Sequence, residues 1–347
     1  RGIMRLLESR DIHRNVYLTE RICGICNVAH TTAYCTTVEL LLGIDLPERA
    51  RYIRTLMGEL ERIHSHLLWL GVAGDLIGFK TLFMLAWRER EEIMDIFELI
   101  SGSRRAPAMN IIGGVRLDIQ EAVAAKITER LEALRGKVGR LVDIVYDHPV
   151  ARSRLEDVGV LRIDTAKEAG ALGPTARASN WKVDVRWSDP YAAYGDEYTT
   201  WDVVTETGGD SWARTVVRLR ELIVSVDICL QALKALAGTS GPFKTEAGEL
   251  NPGEALGKTE APRGELLYYI VSDGTNIPHT VRIRTPSYRN NSVIPSLLRG
   301  SALADAPVIV GSIDPCYSCT DRMVIVEDAK TGRVETGRLR DLAQKRT

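Results

Sequence analysis

Ile53-Arg54-Thr55-Leu56-Met57-Gly58-Glu59-Leu60-Glu61-Arg62-Ile63-His64-Ser65-His66-Leu67-Leu68-Trp69-Leu70 places an apolar side chain at every third or fourth position, at Ile53, Leu56, Leu60, Ile63, Leu67 and Leu70. Residues three and four apart share one face of an α-helix, so this stripe is the core-facing side of a helix several turns long. A second stripe runs from about Asp118 to Tyr146 through Ile119, Val123, Ile127, Leu134, Leu141 and Val145. A third, from Ser211 to about Leu236, uses Trp212, Val216, Leu219, Ile223, Val226, Leu230 and Leu233. Three long amphipathic helices predict a bundle. From Gly264 onward the texture becomes β-rich, with Leu266 to Val271 and Thr280 to Ile283 flanking a turn-forming stretch at Ser272 to Asn276. Val308 to Ile313 is a further short apolar run. Met323 to Val326 and Arg333 to Glu335, around Lys330-Thr331-Gly332, read as a hairpin. The fold class expected is mainly α with small β elements.

The chain has 347 residues, enough to bury a large site. Its 45 Lys and Arg against 46 Asp and Glu give no general electrostatic reason to bind nucleic acid or an anionic membrane. The start, Arg1-Gly2-Ile3-Met4-Arg5, has neither an initiator methionine nor the apolar core of an export signal, and reads as a chain that lacks its first segment. The longest apolar stretch, Leu67 to Trp87, could span a bilayer by length, but Asp75 and Lys80 fall near its middle beside three glycines. It reads as a buried helix. His64 and His66 read as partly buried polar residues of an amphipathic helix.

Four of the six cysteines form two C-x-x-C pairs, in Glu20-Arg21-Ile22-Cys23-Gly24-Ile25-Cys26 and in Asp314-Pro315-Cys316-Tyr317-Ser318-Cys319. Two thiols three residues apart can address one point from a single turn. Together the pairs offer four soft ligands, a set that suits zinc, an iron-sulfur centre or a rarer metal, and a disulfide or redox pair is a further reading. Some 290 residues separate the pairs, far more than in a zinc ribbon, so a shared site would clasp the two ends of the fold. Cys35 and Cys229 belong to no such pair and read as small buried hydrophobes.

With His30 four residues beyond the second thiol, the segment Arg21 to Cys26 resembles the amino-terminal metal motif of nickel-iron hydrogenase large subunits. Asp314-Pro315-Cys316-Tyr317-Ser318-Cys319-Thr320-Asp321-Arg322 resembles their carboxy-terminal motif. Glu260-Ala261-Pro262-Arg263-Gly264-Glu265 and the helix Leu60 to Leu70 resemble the energy-converting and formate-hydrogenlyase branch, which is related to the quinone-site (49 kDa) subunit of complex I. The resemblance implies a helix bundle with the metal site between the two cysteine loops. It implies a nickel-iron centre carrying carbon monoxide and cyanide, with Cys23 and Cys316 as terminal nickel ligands and Cys26 and Cys319 as bridges to iron. Cys316 or Cys23 would accept the proton released from dihydrogen, and Arg263 would stand over the centre as a fixed cation. An ion pair with Glu260 or Glu265 is the plain alternative for Arg263. His30 and Asp314 would support the ligands from behind. Glu20 would serve either as a proton relay or as the structural partner of Arg21.

The same resemblance implies an iron-sulfur cluster in a separate small subunit, since this chain has no cysteines to spare for one. Further membrane-arm subunits would hold the protein peripherally at the cytoplasmic face of a membrane. Relatives are often cleaved three residues after the last cysteine, here between Arg322 and Met323. Residues 1–322 would then form one large-subunit domain and 323–347 a removable extension, whose precursor would engage a maturation protease and nickel-insertion factors. The competing function is a quinone-binding or coupling subunit of the complex I kind without a working metal site; fold alone does not separate the two.

Overall fold

The computed structural model describes residues 2–195 and 197–320, together with the backbone of two short strands, Val324–Glu327 and Val334–Gly337. Five long helices organise the described residues: α1 (Asn27–Leu42), α2 (Glu48–Leu76), α3 (Lys80–Ser101), α4 (Glu121–Tyr146) and α5 (Ser211–Gly238). Helices α2 to α5 pack into a bundle, α2 against α3 and α5, and α4 against α3 and α5. Their apolar stripes meet in one core that includes Ile53, Leu60, Leu67, Ile93, Ile127, Leu134, Leu219 and Leu233. Gly71 permits the close approach of α2 and α3, because a Cβ there would sit 2.3 Å from the Trp87 ring.

A second core lies beside the bundle. An antiparallel three-stranded sheet of β3 (Pro252–Ala261), β4 (Gly264–Asp273) and β5 (Thr280–Arg284) packs on α1, with β4 in the centre. Leu266, Tyr268 and Ile270 alternate along β4 and face inward, as the two-residue period of a strand requires. All four paired cysteines are buried in this second core. A small hairpin, β1 (Asn110–Ile111) and β2 (Gly114–Val115), lies against both α1 and α2.

The bundle, the small sheet and the cysteine loops follow the pattern expected from the residues. Several details differ. The stretch Leu67 to Trp87 is not one helix: α2 ends at Leu76, Gly78 takes φ 82°, and α3 starts at Lys80. Among the described residues no helix is long and apolar enough to cross a membrane. The apolar run at Val308 is part of a short helix, Ala306–Ser312. His64 and His66 are fully rather than partly buried, because α2 has no solvent-facing side over its middle turns. The strands Val324–Glu327 and Val334–Gly337 pair antiparallel. The turn at Lys330 to Gly332 and the bond between Arg322 and Met323 lie outside the described residues.

Arg54 of α2 joins the two cores. Its guanidinium donates to both carboxylate oxygens of Glu39 on α1 and to the carbonyls of Ile111 and Gly114. Glu39 also accepts from the Gly113 N–H. Both side chains are buried, so removing the cation leaves a buried carboxylate with only the Gly113 N–H to offset its charge. Arg54→Met should therefore lower stability by about 3–5 kcal/mol in urea unfolding. The double variant Glu39→Leu/Arg54→Met should recover most of that loss; an equally unstable double variant would mean that the pair is not what joins the cores.

Candidate metal centre

Each cysteine loop is positioned by a different element. Cys23 and Cys26 lie in the turn that leads into α1, with Cys26 at its N-cap position. Cys316 and Cys319 follow the helix Ala306–Ser312 on a single further turn, Tyr317–Thr320. Asp314 enters that turn with φ 56°, in the left-handed region that aspartate tolerates better than most residues. The Cys316 N–H donates to Ser287 Oγ, and the Cys319 carbonyl accepts from Thr285 Oγ1, which pins both ends of the loop.

The two loops meet. Cys23 Sγ lies 3.3 Å from Cys316 Sγ, and Cys26 Sγ lies 3.7 Å from Cys319 Sγ, each pair 293 residues apart in sequence. These distances are far beyond the roughly 2.05 Å of a disulfide and near the sulfur-sulfur edge of a thiolate site with metal-sulfur bonds of about 2.3 Å. All four thiols are buried and free. Mutual hydrogen bonding divides their acidity: Cys26 stabilises the Cys23 thiolate and draws it down to about 6, and Cys23 in turn stabilises that of Cys316, which is depressed further. Cys26 and Cys319 are pushed up, first by their bonds to Cys23.

His30 stands behind the second pair. Its Nε2 is 3.6 Å from Cys319 Sγ, while Nδ1 is 2.8 Å from the Tyr268 hydroxyl. Burial lowers its pKa to about 4, so the ring is neutral at physiological pH. Arg263, in the turn between β3 and β4, pairs with neither Glu260 nor Glu265. Those carboxylates are taken by Arg177 and Arg284 respectively. Arg263 instead donates from Nε to the Asp314 carbonyl and from Nη2 to Asp314 Oδ1, both at 2.8 Å, and from Nη1 to Ser65 Oγ at 3.3 Å. Gly264 makes this turn possible, since a Cβ there would lie 2.6 Å from the Gly173 nitrogen. Glu20 accepts from Arg21 Nη1 and from the Ala108 N–H, each at 2.7 Å.

A cavity of about 840 Å³ opens beside the cluster. Cys23, Cys316, Arg263 and Asp314 line it together with apolar side chains such as Leu68, Trp69 and Val310, whereas Cys26 and Cys319 do not. The first pair therefore faces the cavity and the second faces His30 and the protein interior. Leu303 and Tyr317 at the rim are 91% and 73% exposed, and the guanidinium of Arg105 also reaches the cavity.

Sequence reading passed over Glu61. Its carboxylate accepts the Val28 and Ala29 N–H groups at the first turn of α1, one residue beyond the loop that holds Cys23 and Cys26. Burial pushes it up to about 8 against the pull of those two donors. The signal was the clustering of Glu59, Glu61, Arg62, His64 and His66 on every side of an otherwise apolar helix, which a one-face pattern does not capture.

Two families match the sequence: respiratory-chain NADH dehydrogenase, 49 Kd subunit, over residues 76–251 and 242–322, and nickel-dependent hydrogenase over residues 1–71. The membrane-bound hydrogenase subunit alpha of Pyrococcus furiosus is 41% identical over 95% of this chain and 80% of that protein. Formate hydrogenlyase subunit 5 of Escherichia coli is 37% identical over 95% of the chain, which spans only 58% of that relative's length. In structure, a chain of the membrane-bound sulfane sulfur reductase, an archaeal respiratory membrane complex, superposes with a TM-score of 0.87 at 34% identity, covering 93% of this chain and 88% of the other.

The buried thiols form two overlapping ligand sets, Cys23 with Cys316 and Cys319, and Cys26 with Cys319 and His30, and predict a thiophilic metal centre. The reduced, metal-free full chain should take up cobalt(II) with thiolate-to-metal absorption. Serine at any of positions 23, 26, 316 or 319 should weaken uptake by more than the roughly 10- to 100-fold cost of losing a supporting hydrogen bond around a metal. Cys35→Ser and Cys229→Ser should leave it unchanged. Equal binding by all six variants would place the metal elsewhere.

Proposed function

The chain belongs to the family that unites nickel-dependent hydrogenases with the 49 kDa subunit of respiratory NADH dehydrogenase, and from that premise we propose that it is the catalytic large subunit of a nickel-iron hydrogenase, which cleaves or forms dihydrogen and exchanges electrons with an iron-sulfur small subunit. The observation that carries this reading is the meeting of both C-x-x-C pairs in one buried cluster beneath Arg263. A quinone-type subunit of the same family has no need of both thiol pairs in one buried cluster.

The residues present suit the group. Cys23 and Cys316, on the cavity side, and Cys26 and Cys319, on the His30 side, would together hold it. Cyanide on the iron of such a centre would add negative charge, and the buried cation of Arg263 suits it. When bound, the centre supplies an electrophilic metal pair that polarises dihydrogen. The protein's part is then acid-base and electrostatic. Of the thiolates that would hold the group, Cys316 or Cys23, which line the cavity, would accept the proton, so no separate base has to be brought in. Arg263, locked by Asp314 and Ser65, presents a fixed charge whose reorganisation cost was met on folding. Neutral His30 steadies the Cys319 sulfur without adding charge. We give Glu20 a supporting rather than a proton-carrying role, because each of its oxygens already accepts a hydrogen bond.

The cavity admits substrate from the side of Cys23 and Cys316, and its exposed apolar rim suits a docked iron-sulfur subunit. Peripheral attachment to a membrane complex through such partners fits the relatives.

Anaerobically purified mature complex should contain nickel and give the infrared bands of iron-bound carbon monoxide and cyanide. Absence of both would end this reading. Cys316→Ser and Cys319→Ser should abolish dihydrogen turnover. Arg263→Lys should keep nickel and the bands while lowering kcat by about 10²–10³, the scale of losing one preorganised donor at a developing charge; unchanged turnover would remove Arg263 from the machinery.

A further inference from the structure

Arg218 on α5 is fully buried, yet no carboxylate lies within ion-pair distance of it among the described residues. Its Nη1 donates to the Arg214 carbonyl at 2.9 Å, and the guanidinium stacks 4.3 Å from the centre of the Trp69 ring. Its Nε and Nη2 find no protein acceptor. These two N–H groups form one edge of the guanidinium, the edge that grips carboxylates in a bidentate fashion. A buried fork left open costs several kcal/mol, so it is expected to meet an acceptor or an ordered water.

The matching acceptor is at the metal centre. Asp314 uses Oδ1 for Arg263, but its buried Oδ2 has no protein donor. Asp314 is also the charge that acts most strongly on Arg218, ahead of Glu221. Trp69, on which Arg218 stacks, lines the cavity with Asp314 and donates its indole N–H to the Gly311 carbonyl, which also accepts the Asp314 N–H at 3.0 Å. Two donors and one acceptor are a sufficient coordination for one buried water. Asp314 further needs holding, since its left-handed backbone directs the chain into Pro315 and Cys316.

We propose that Arg218 is a positioning residue of this centre, and that a buried water joins its open edge to Asp314 Oδ2, so that one carboxylate is gripped from both sides, by Arg263 at the thiolates and by Arg218 behind Trp69. Arg218 acts through Asp314 and touches no ligand itself. The inference deepens the proposed function but rests for its test on the protein alone.

The test uses the reduced, metal-free full chain, with iodoacetamide alkylation of each cysteine followed by peptide mass mapping. Arg218→Met keeps an unbranched side chain beside Trp69 and removes both charge and fork; Arg218→Lys keeps the charge and removes the fork. Both should speed alkylation of Cys316 at least fivefold, while Cys35 and Cys229 stay as protected as in the wild type. A general loosening would expose Cys229, which lies on the same helix as Arg218, and would overturn the proposal. Cys316 reactivity within twofold of wild type in both variants would overturn it too, as would failure of both to fold, which would make Arg218 a plain structural residue. In the loaded complex the same variants should retain nickel and shift the carbon monoxide band. Missing bands in the wild type would count against the nickel-iron reading alone, leaving the alkylation result to decide on Arg218.

Discussion

A helix buried on every side must bring a partner for each charge it carries, and α2 is in that position. Arg54 is met by Glu39 of α1, Glu59 by Arg62, Arg186 and Tyr194, and His66 by Glu221 of α5. Glu61 is met by the first N–H groups of α1, and Ser65 by Arg263. Apart from Arg62, which lies on α2 itself, these partners come from other elements of the chain. Burial alone would push Glu59 up, but Arg62 and Arg186 outweigh it and hold the carboxyl at about 2. An array of this kind adds little net stability over an apolar core, yet it heavily penalises any arrangement that separates its members. Helix α2 thus acts as the axle on which the bundle, the sheet and the cysteine loops are indexed.

The thiol cluster inherits its geometry from that axle. The first loop is held through Glu61 at the start of α1, and the second through Arg263, which bonds to Ser65 on one side and Asp314 on the other. Placing Arg263 in the tight turn between β3 and β4 leaves it little freedom. The cation is therefore aimed before any ligand arrives, which is what electrostatic catalysis in a dry site requires. The cavity side stays open and mostly apolar, and the opposite side is closed by His30 and Tyr268.

Much of this was legible in the residues. The stripes at Ile53, Ile119 and Trp212 gave three bundle helices because their apolar faces are one-sided, and the paired cysteines marked the site because thiols at that spacing have few other uses. Helix α1 was not legible: it is buried nearly all round, so its sequence from Asn27 to Leu42 has no polar face to set a period. The strand β3 was hidden by Gly253, Gly257 and scattered charges, and is held in the sheet by its pairing with β4 rather than by propensity. The partner of Arg263 could not be read from its neighbours, since the nearby acids Glu260 and Glu265 are drawn off by arginines distant in sequence. Pairings of that kind are set by three-dimensional packing.

The 293 residues between partnered thiols also impose a schedule. At ribosomal rates of about 5–20 residues per second, Cys23 and Cys26 emerge roughly 15 to 60 s before the sulfurs that face them. Through that interval the early pair is a solvent-accessible dithiol, able to capture stray zinc or copper or to oxidise, with nothing yet built to refuse them. Selectivity for any metal that all four thiols are to hold would then have to be exercised in time as well as in space, by keeping the first loop reduced and empty until the last turn of the fold is in place.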